Sequence, residues 1–128
     1  MINDEFKIIV KKSTFLSYIF EISDKKEIKE IIQKLQLEHK KSRHICYSYS
    51  INKNGNQSAG FHDDGEPKNT AGRPIYEIIK VKNLNNVLVV VVRYFGGIML
   101  GAGGLIKAYR ESAKLAIENY IKNKEKIC

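Results

Sequence analysis

The sequence predicts an α+β sandwich with elements in the order ββαβαβα, a four-stranded, mostly antiparallel sheet and the helices packed on one face. Three observations carry this. Val87 to Val92 is an unbroken apolar run, nearly all β-branched, which describes a strand buried on both faces and therefore central in its sheet. Ile45, Tyr47, Tyr49 and Ile51 alternate with Cys46, Ser48, Ser50 and Asn52, the two-residue period of a half-buried strand. Ile28, Ile31, Ile32 and Leu35 recur instead at helical spacing. These periods share a chain of 128 residues with no internal repeat, so residues 1–128 read as one domain with one ordinary core.

The elements follow in order. Phe6 to Lys11 and Thr14 to Ile22, rich in β-branched and aromatic residues, form a strand pair that turns at Lys12-Ser13. Asp24 starts a helix, because its side chain can accept from the backbone at Glu27 while Glu27 reaches back, a capping box. Lys25, Lys26, Lys29, Glu30 and Lys34 lie off the apolar stripe, and the helix frays near Glu38 to Lys41. The strand over 45–52 ends in an Asn54-Gly55 hairpin turn. From Gln57 to Gly72 no periodicity is present, which predicts a long loop; such loops in compact domains are usually functional or disordered. Pro74 occupies the first turn of a short helix through Ile79. A closing helix from about Gly103 to Asn123 buries the face of Leu105, Tyr109, Ser112, Ala113, Ala116 and Tyr120.

Composition narrows the class. No apolar run approaches the roughly 20 residues a membrane span needs, and the start, Met1-Ile2-Asn3-Asp4-Glu5, lacks the order of a signal peptide. Cys46 and Cys128 make no disulfide framework and suit a reducing cytoplasm. Lys and Arg number 22 against 14 Asp and Glu, a net charge of +8. That excess fits an acidic partner such as RNA, and it fits equally a chain enriched in Lys, Ile and Asn by coding bias. The helical lysines and Lys122, Lys124 and Lys126 read as solvated faces, and Tyr94-Phe95 is the one exposed-looking aromatic pair for stacking bases.

Chemistry has three places to sit. Asp63, Asp64 and Glu66, after His62, are hard oxygen donors suited to Mg²⁺, or they pair with arginines that brace the loop. Bracing is the favoured reading, with Arg73 and Arg93 as the cations. Gly96, Gly97, Gly101, Gly103 and Gly104 lie between the buried strand and the last helix, where free backbone N–H groups and the helix dipole suit phosphate. The spacing is neither a Walker A loop nor the dinucleotide fingerprint, and glycines also serve tight turns and close packing. Arg93, Lys107 and Arg110 tilt that segment toward an anion site. His44 and Cys46, two apart on a strand, face the same way and could form a Cys–His nucleophile, although a buried thiol beside a structural histidine is the simpler reading. His39 is placed as an exposed residue at a helix end. No catalytic residue, metal or cofactor is assigned.

Six motifs occur in sequence: Lys12-Ser13-x-Phe15, His44-x-Cys46-Tyr47-x-Tyr49, Asp63-Asp64-Gly65-Glu66-Pro67, Thr70-Ala71-Gly72-Arg73-Pro74-Ile75, Arg93-Tyr94-Phe95-Gly96-Gly97 and Leu100-Gly101-Ala102-Gly103-Gly104-Leu105. Together they resemble the conserved N-terminal domain of the YigZ/IMPACT family. The resemblance implies a fold like the second domain of ribosomal protein S5 and a cytoplasmic protein linked to translation. It also implies that eukaryotic relatives regulate initiation during amino-acid starvation by competing for the activator of a kinase. Bacterial members usually continue into a smaller ferredoxin-like domain and eukaryotic ones carry a partner-binding domain in front; residues 1–128 are expected to be the IMPACT-type domain alone. Lys68-Asn69 stands where bacterial relatives commonly have Ser-Gly, making this loop more basic and less flexible.

The leading expectation is a translation-associated binding protein that contacts RNA, the ribosome or a translation-regulatory protein through the electropositive start of the last helix. The alternatives are an Mg-dependent nucleotide- or phosphate-handling enzyme using the acidic loop and glycine turn, and a pure protein-interaction module.

Overall fold

In the computed structural model, which describes residues 4–127, the chain runs β1 (Phe6–Val10), β2 (Ser13–Glu21), α1 (Lys25–Glu38), β3 (His44–Lys53), β4 (Asn56–His62), α2 (Gly72–Val81), β5 (Val87–Tyr94) and α3 (Gly101–Ile127). The sheet has five strands, not four, in the order β1-β2-β5-β3-β4, and all neighbouring pairs are antiparallel. β5 is central because its six leading residues, all fully buried, are apolar on both sides. Val87, Val89 and Val91 face one cluster with Ile75, Ile79, Leu105, Tyr109 and Ile117 of α2 and α3. Leu88, Val90 and Val92 face a second with Leu16, Ile45 and, from α1, Ile28 and Leu35. The helix-covered face anticipated from the sequence is that of α2 and α3, which pack side by side on it. α1 lies against the opposite face, since the alternation of β2, β5 and β3 leaves a second apolar surface to bury.

The extra strand is β4, in the stretch expected to be a loop. Asn56-Gln57-Ser58-Ala59-Gly60-Phe61-His62 pairs with β3 alone and is exposed at most positions, so no apolar alternation marks it. The connecting loop shrinks to the residues between His62 and Gly72. Two turns set the registers. Asn54 (φ 54°) and Gly55 (φ 81°) form the expected hairpin turn, with Lys53 opposite Asn56. The β1–β2 turn falls at Lys11 (φ 45°) and Lys12 (φ 67°) rather than at Lys12-Ser13, because Val10 pairs with Ser13. Gly96 explains why no side chain is possible opposite that turn: a Cβ there would lie 2.0 Å from the Lys12 carbonyl oxygen.

The Asp24 capping box is formed. Glu27 accepts from the N–H groups of Ser23 (2.7 Å) and Asp24 (2.9 Å), and Asp24 accepts from that of Lys26 (2.9 Å). His39 caps the other end and is not a free surface residue: its ring nitrogens meet Tyr94 Oη (2.6 Å) and Tyr18 Oη (2.9 Å), and Tyr18 donates to Glu5. α3 begins at Gly101 (φ 75°), two residues earlier than expected, and runs on to Ile127. Among the described residues no helix is long and apolar enough to cross a membrane. Cys128 lies outside the described residues.

Three carboxylates stand below their ordinary range. Backbone N–H donation from Ser23 lowers Glu27, that from Lys26 lowers Asp24, and Lys124 followed by Tyr120 lowers Glu21 on the β2–α3 side. A group whose pKa is depressed by folding stabilises fully above its unfolded value and loses that contribution as pH falls through the folded value. Thermal melts from about pH 6 down to about pH 3 are therefore expected to show a falling midpoint in the carboxylate range, and Glu27→Gln should flatten the slope.

Candidate functional site

Arg93, at the end of β5, is the centre of a buried polar cluster. Its Nη1 donates to Glu66 Oε2 at 2.7 Å and its Nη2 to Ser13 Oγ at 3.2 Å, while its Nε is buried without a hydrogen-bond partner. The two charged side chains are only 6% and 3% exposed. The guanidinium also lies 5.6 Å from the Phe15 ring centroid and 5.5 Å from that of Phe95. Glu66 is shared further: Tyr109 of α3 donates to its Oε2 at 2.5 Å, and His44 Nε2 lies 3.3 Å from its Oε1. Ser13 Oγ in turn accepts from the N–H of Gly96 at 3.2 Å, which anchors the start of the glycine-rich turn. The β2 start, the β5 end, the loop before α2 and the core face of α3 thus meet at one ion pair.

The acidic loop is braced throughout. Asp63 accepts from the N–H groups of Asn69 (2.9 Å), Ala71 (3.2 Å) and Gly72 (2.9 Å), so it caps α2, whose start has no side-chain cap of its own. Asp64 (φ 47°) turns the chain and accepts from the Ile45 N–H at 2.6 Å, while its carbonyl takes His44 Nδ1 at 2.7 Å. Gly72 has to be glycine, because a Cβ would sit 2.6 Å from the His62 backbone nitrogen. Both ring nitrogens of His44 are engaged, and Cys46 is buried with its sulfur on the Asp63 carbonyl (3.1 Å) and Tyr109 (3.5 Å). Burial pushes the Cys46 thiol far up, so the pair is the buried thiol and structural histidine, not a nucleophile with its base. Burial raises Tyr109 likewise and keeps it a donor to Glu66.

The residues expected to form an anion site are placed differently from one another. Arg93 belongs to the interior, and Arg110 pairs on the surface with Glu77 of α2 at 3.1 Å. Arg73 and Lys107 are exposed and make no ion pair among the described residues, so the acidic loop neutralises Arg93 but not Arg73. Gly97 (φ 90°), Gly101 and Gly103 are exposed, with open space where a side chain would be. Gly96 and Gly104 are half-buried, the latter against Leu100. The Tyr94-Phe95 pair is half-buried too, with Phe95 lying between Arg93 and Arg43, whose guanidinium is 4.9 Å from its ring. Sequence reasoning missed Tyr109 and Ser13 as members of the polar cluster; the available signal was a tyrosine on a core-facing stripe, which needs a partner for its hydroxyl.

Fold and site together define an antiparallel sheet-and-helix domain braced by a buried Arg–Glu pair beneath an open glycine-rich helix start. Residues 11–117 match the Impact N-terminal domain. The chain belongs to the IMPACT/YigZ family, as its motifs implied. It is 44% identical over 108 residues to "IMPACT family member YvyE" of Bacillus subtilis, covering 84% of this chain and 49% of that protein. It is 34% identical to human "Protein IMPACT", covering 71% of this chain and 29% of that one. A crystal structure described as that of a hypothetical protein superposes with a TM-score of 0.85 at 33% identity, over 91% of this chain and 57% of its own. The two-domain translational regulator Yih1 shares the fold, with a TM-score of 0.53 at 22% identity over 88% and 45% of the two chains. The chain spans about half the length of the bacterial relatives from Bacillus subtilis, Haemophilus influenzae and Escherichia coli that it matches.

Breaking one side of the buried pair leaves an uncompensated charge. Arg93→Met is expected to cost about 3–5 kcal/mol in urea unfolding, and Arg93→Met/Glu66→Met less than the sum of the single changes. Cys46 should react with iodoacetamide only at the rate of unfolding, so alkylation of the native protein at neutral pH that maps to Cys46 and not to Cys128 would contradict its placement.

Proposed function

We propose that this is a translation-associated binding protein of the cytoplasm, acting through contact with RNA or the ribosome. We read its fold as that of the second domain of ribosomal protein S5. One observation carries the reading. The carboxylates of the acidic motif are engaged within the domain, Glu66 with Arg93, Tyr109 and His44 and Asp63 with the start of α2, so the outward-facing cations Arg73 and Lys107 are not neutralised by them. Lys107 and Arg73 are the free cations of the expected site. Just before Lys107 in sequence, the exposed glycines Gly97, Gly101 and Gly103 lead into α3, whose first N–H groups have no intrahelical partner. The description of Yih1 as a translational regulator and the net charge of +8 support the same reading.

The alternative of an Mg-dependent phosphate-handling enzyme draws on the acidic loop, whose Asp63 and Glu66 oxygens already accept from backbone N–H groups, Arg93 and Tyr109. A thermal-shift screen with nucleotides and Mg²⁺ is expected to give no shift that requires both. The principal test is sedimentation of the purified chain with ribosomes at low and moderate salt, with and without nuclease. Cosedimentation should weaken steeply with salt, and Lys107→Glu should reduce it and lower the salt slope by about one. Binding unchanged by Lys107→Glu would remove the α3 end from the interface. A protein partner retained after nuclease would favour the interaction module instead.

A further inference from the structure

The face of the sheet that carries α1 is only partly covered. α1 lies over β2, β5 and β3, and beside it a groove of about 430 Å³ opens onto the β4 side. Tyr47 and Tyr49, two apart on β3 and so on one face about 7 Å apart, form its floor half-buried. The exposed His62 ring lies 5.2 Å from that of Tyr47 at an interplanar angle of 35°. Tyr49 lies across Gly60 of β4, where a Cβ would come within 2.8 Å of its hydroxyl; the absent side chain is what lets the ring lie flat along the edge. The opposite wall is α1, which presents Lys25 and Lys29 one turn apart, with Gln33 a turn further on. Lys25 Nζ stands 6.0 Å from the Tyr49 ring centroid. Among the described residues no carboxylate lines the α1 wall or the tyrosine floor, while Asp64 Oδ1 lies 4.0 Å from His62 Nε2 on the β4 side. At the Lys25 end it meets a second depression of about 370 Å³ toward the β3–β4 turn, where Asp24 is paired with Lys53 at 3.9 Å.

We propose that this groove is a binding site for single-stranded RNA, with bases against Tyr47, Tyr49 and His62 and phosphates along Lys25 and Lys29. The chemistry selects that occupant. Rings on the open face of an antiparallel sheet offer sequence-tolerant stacking, and the lysines along the α1 wall track a phosphate backbone. An extended trough suits a strand better than a compact ligand, and an acidic peptide would leave the aromatic floor without a matching group. Burial also raises Tyr47, so its hydroxyl stays neutral beside a phosphodiester chain. The site is separate from the start of α3 and does not depend on that end binding anything.

The test is fluorescence anisotropy with a labelled uridine decamer at low salt, on the whole chain and on variants checked for unchanged melting. Lys25 and Lys29 are exposed, so Lys25→Glu/Lys29→Glu should fold normally and lower affinity by tenfold or more. Tyr49→Leu should lower it by about tenfold, the loss of one stacked base. Tyr49→Phe should retain it, and Lys122→Glu, exposed on α3 away from both the groove and the start of that helix, should leave it unchanged. Absence of binding by the parent chain, undiminished binding by Lys25→Glu/Lys29→Glu, equal affinity for a duplex of the same length, or loss only in Lys107→Glu would each overturn the proposal. Oligonucleotide binding that persists where ribosome cosedimentation fails separates the two readings.

Discussion

The pairing of Arg93 with Glu66 is the constraint on which the remaining geometry rests. Two charges this deeply buried lose their hydration, and attraction between them alone often fails to recover that cost. Here the surroundings supply the balance: Tyr109 and His44 on the carboxylate, Ser13 and two aromatic faces on the guanidinium. Each of those groups comes from a different segment, so the pair holds its place only when the sheet, the acidic loop and α3 are in position together. An apolar replacement would pack the same space without enforcing that coincidence. The glycine-rich turn inherits this order through Ser13, whose hydroxyl bonds both Arg93 and the Gly96 N–H.

The same arrangement sorts charge by depth. Acidic groups of the Asp63–Glu66 loop point at backbone N–H groups or at Arg93, whereas most lysines of the helices remain in solvent. A modest excess of basic residues therefore becomes a more basic surface than the net charge alone conveys. Family membership fits this division: the matched stretch, residues 11–117, contains the braced cluster, the turn and most of both helix-covered faces.

Legibility in the sequence followed how local each cause was. β5 was readable because burial on both faces demands an unbroken apolar run, and the start of α1 because a capping box spans only four residues. β4 was not, since an edge strand with a solvated face carries no alternation; Phe61 is its one large apolar residue, set against Tyr76. The β1–β2 turn was misplaced by one residue because two lysines with positive φ lack the asparagine–glycine signature that revealed the next hairpin. Association of Arg93 with the acidic loop could be anticipated from opposite charge. Which carboxylate it would take, and that Arg110 would turn to Glu77 instead, depended on how α2 docks against α3, a packing decision no local pattern records. The aromatic floor beside α1 was likewise invisible, because alternation placed Tyr47 and Tyr49 on a face without telling how far a helix would cover it.

The strand order has a consequence for the nascent chain. β1–β2 and β3–β4 are each hairpins of adjacent segments, yet the strand between them is β5, which is synthesised after both. Until Tyr94 has cleared the exit tunnel, each hairpin keeps an unpaired edge facing a gap, and neither has the neighbour that closes the sheet. Two-stranded ribbons of this kind are marginal alone. Translation at about 5–20 residues per second therefore leaves an interval of a few seconds between the last residue of β4 and the end of β5. During that interval the open edges of β2 and β3 are available to any other extended chain. The domain is assembled from its flanks and locked from its middle, so a ribosome stalled before Val87 would carry two hairpins with no sheet.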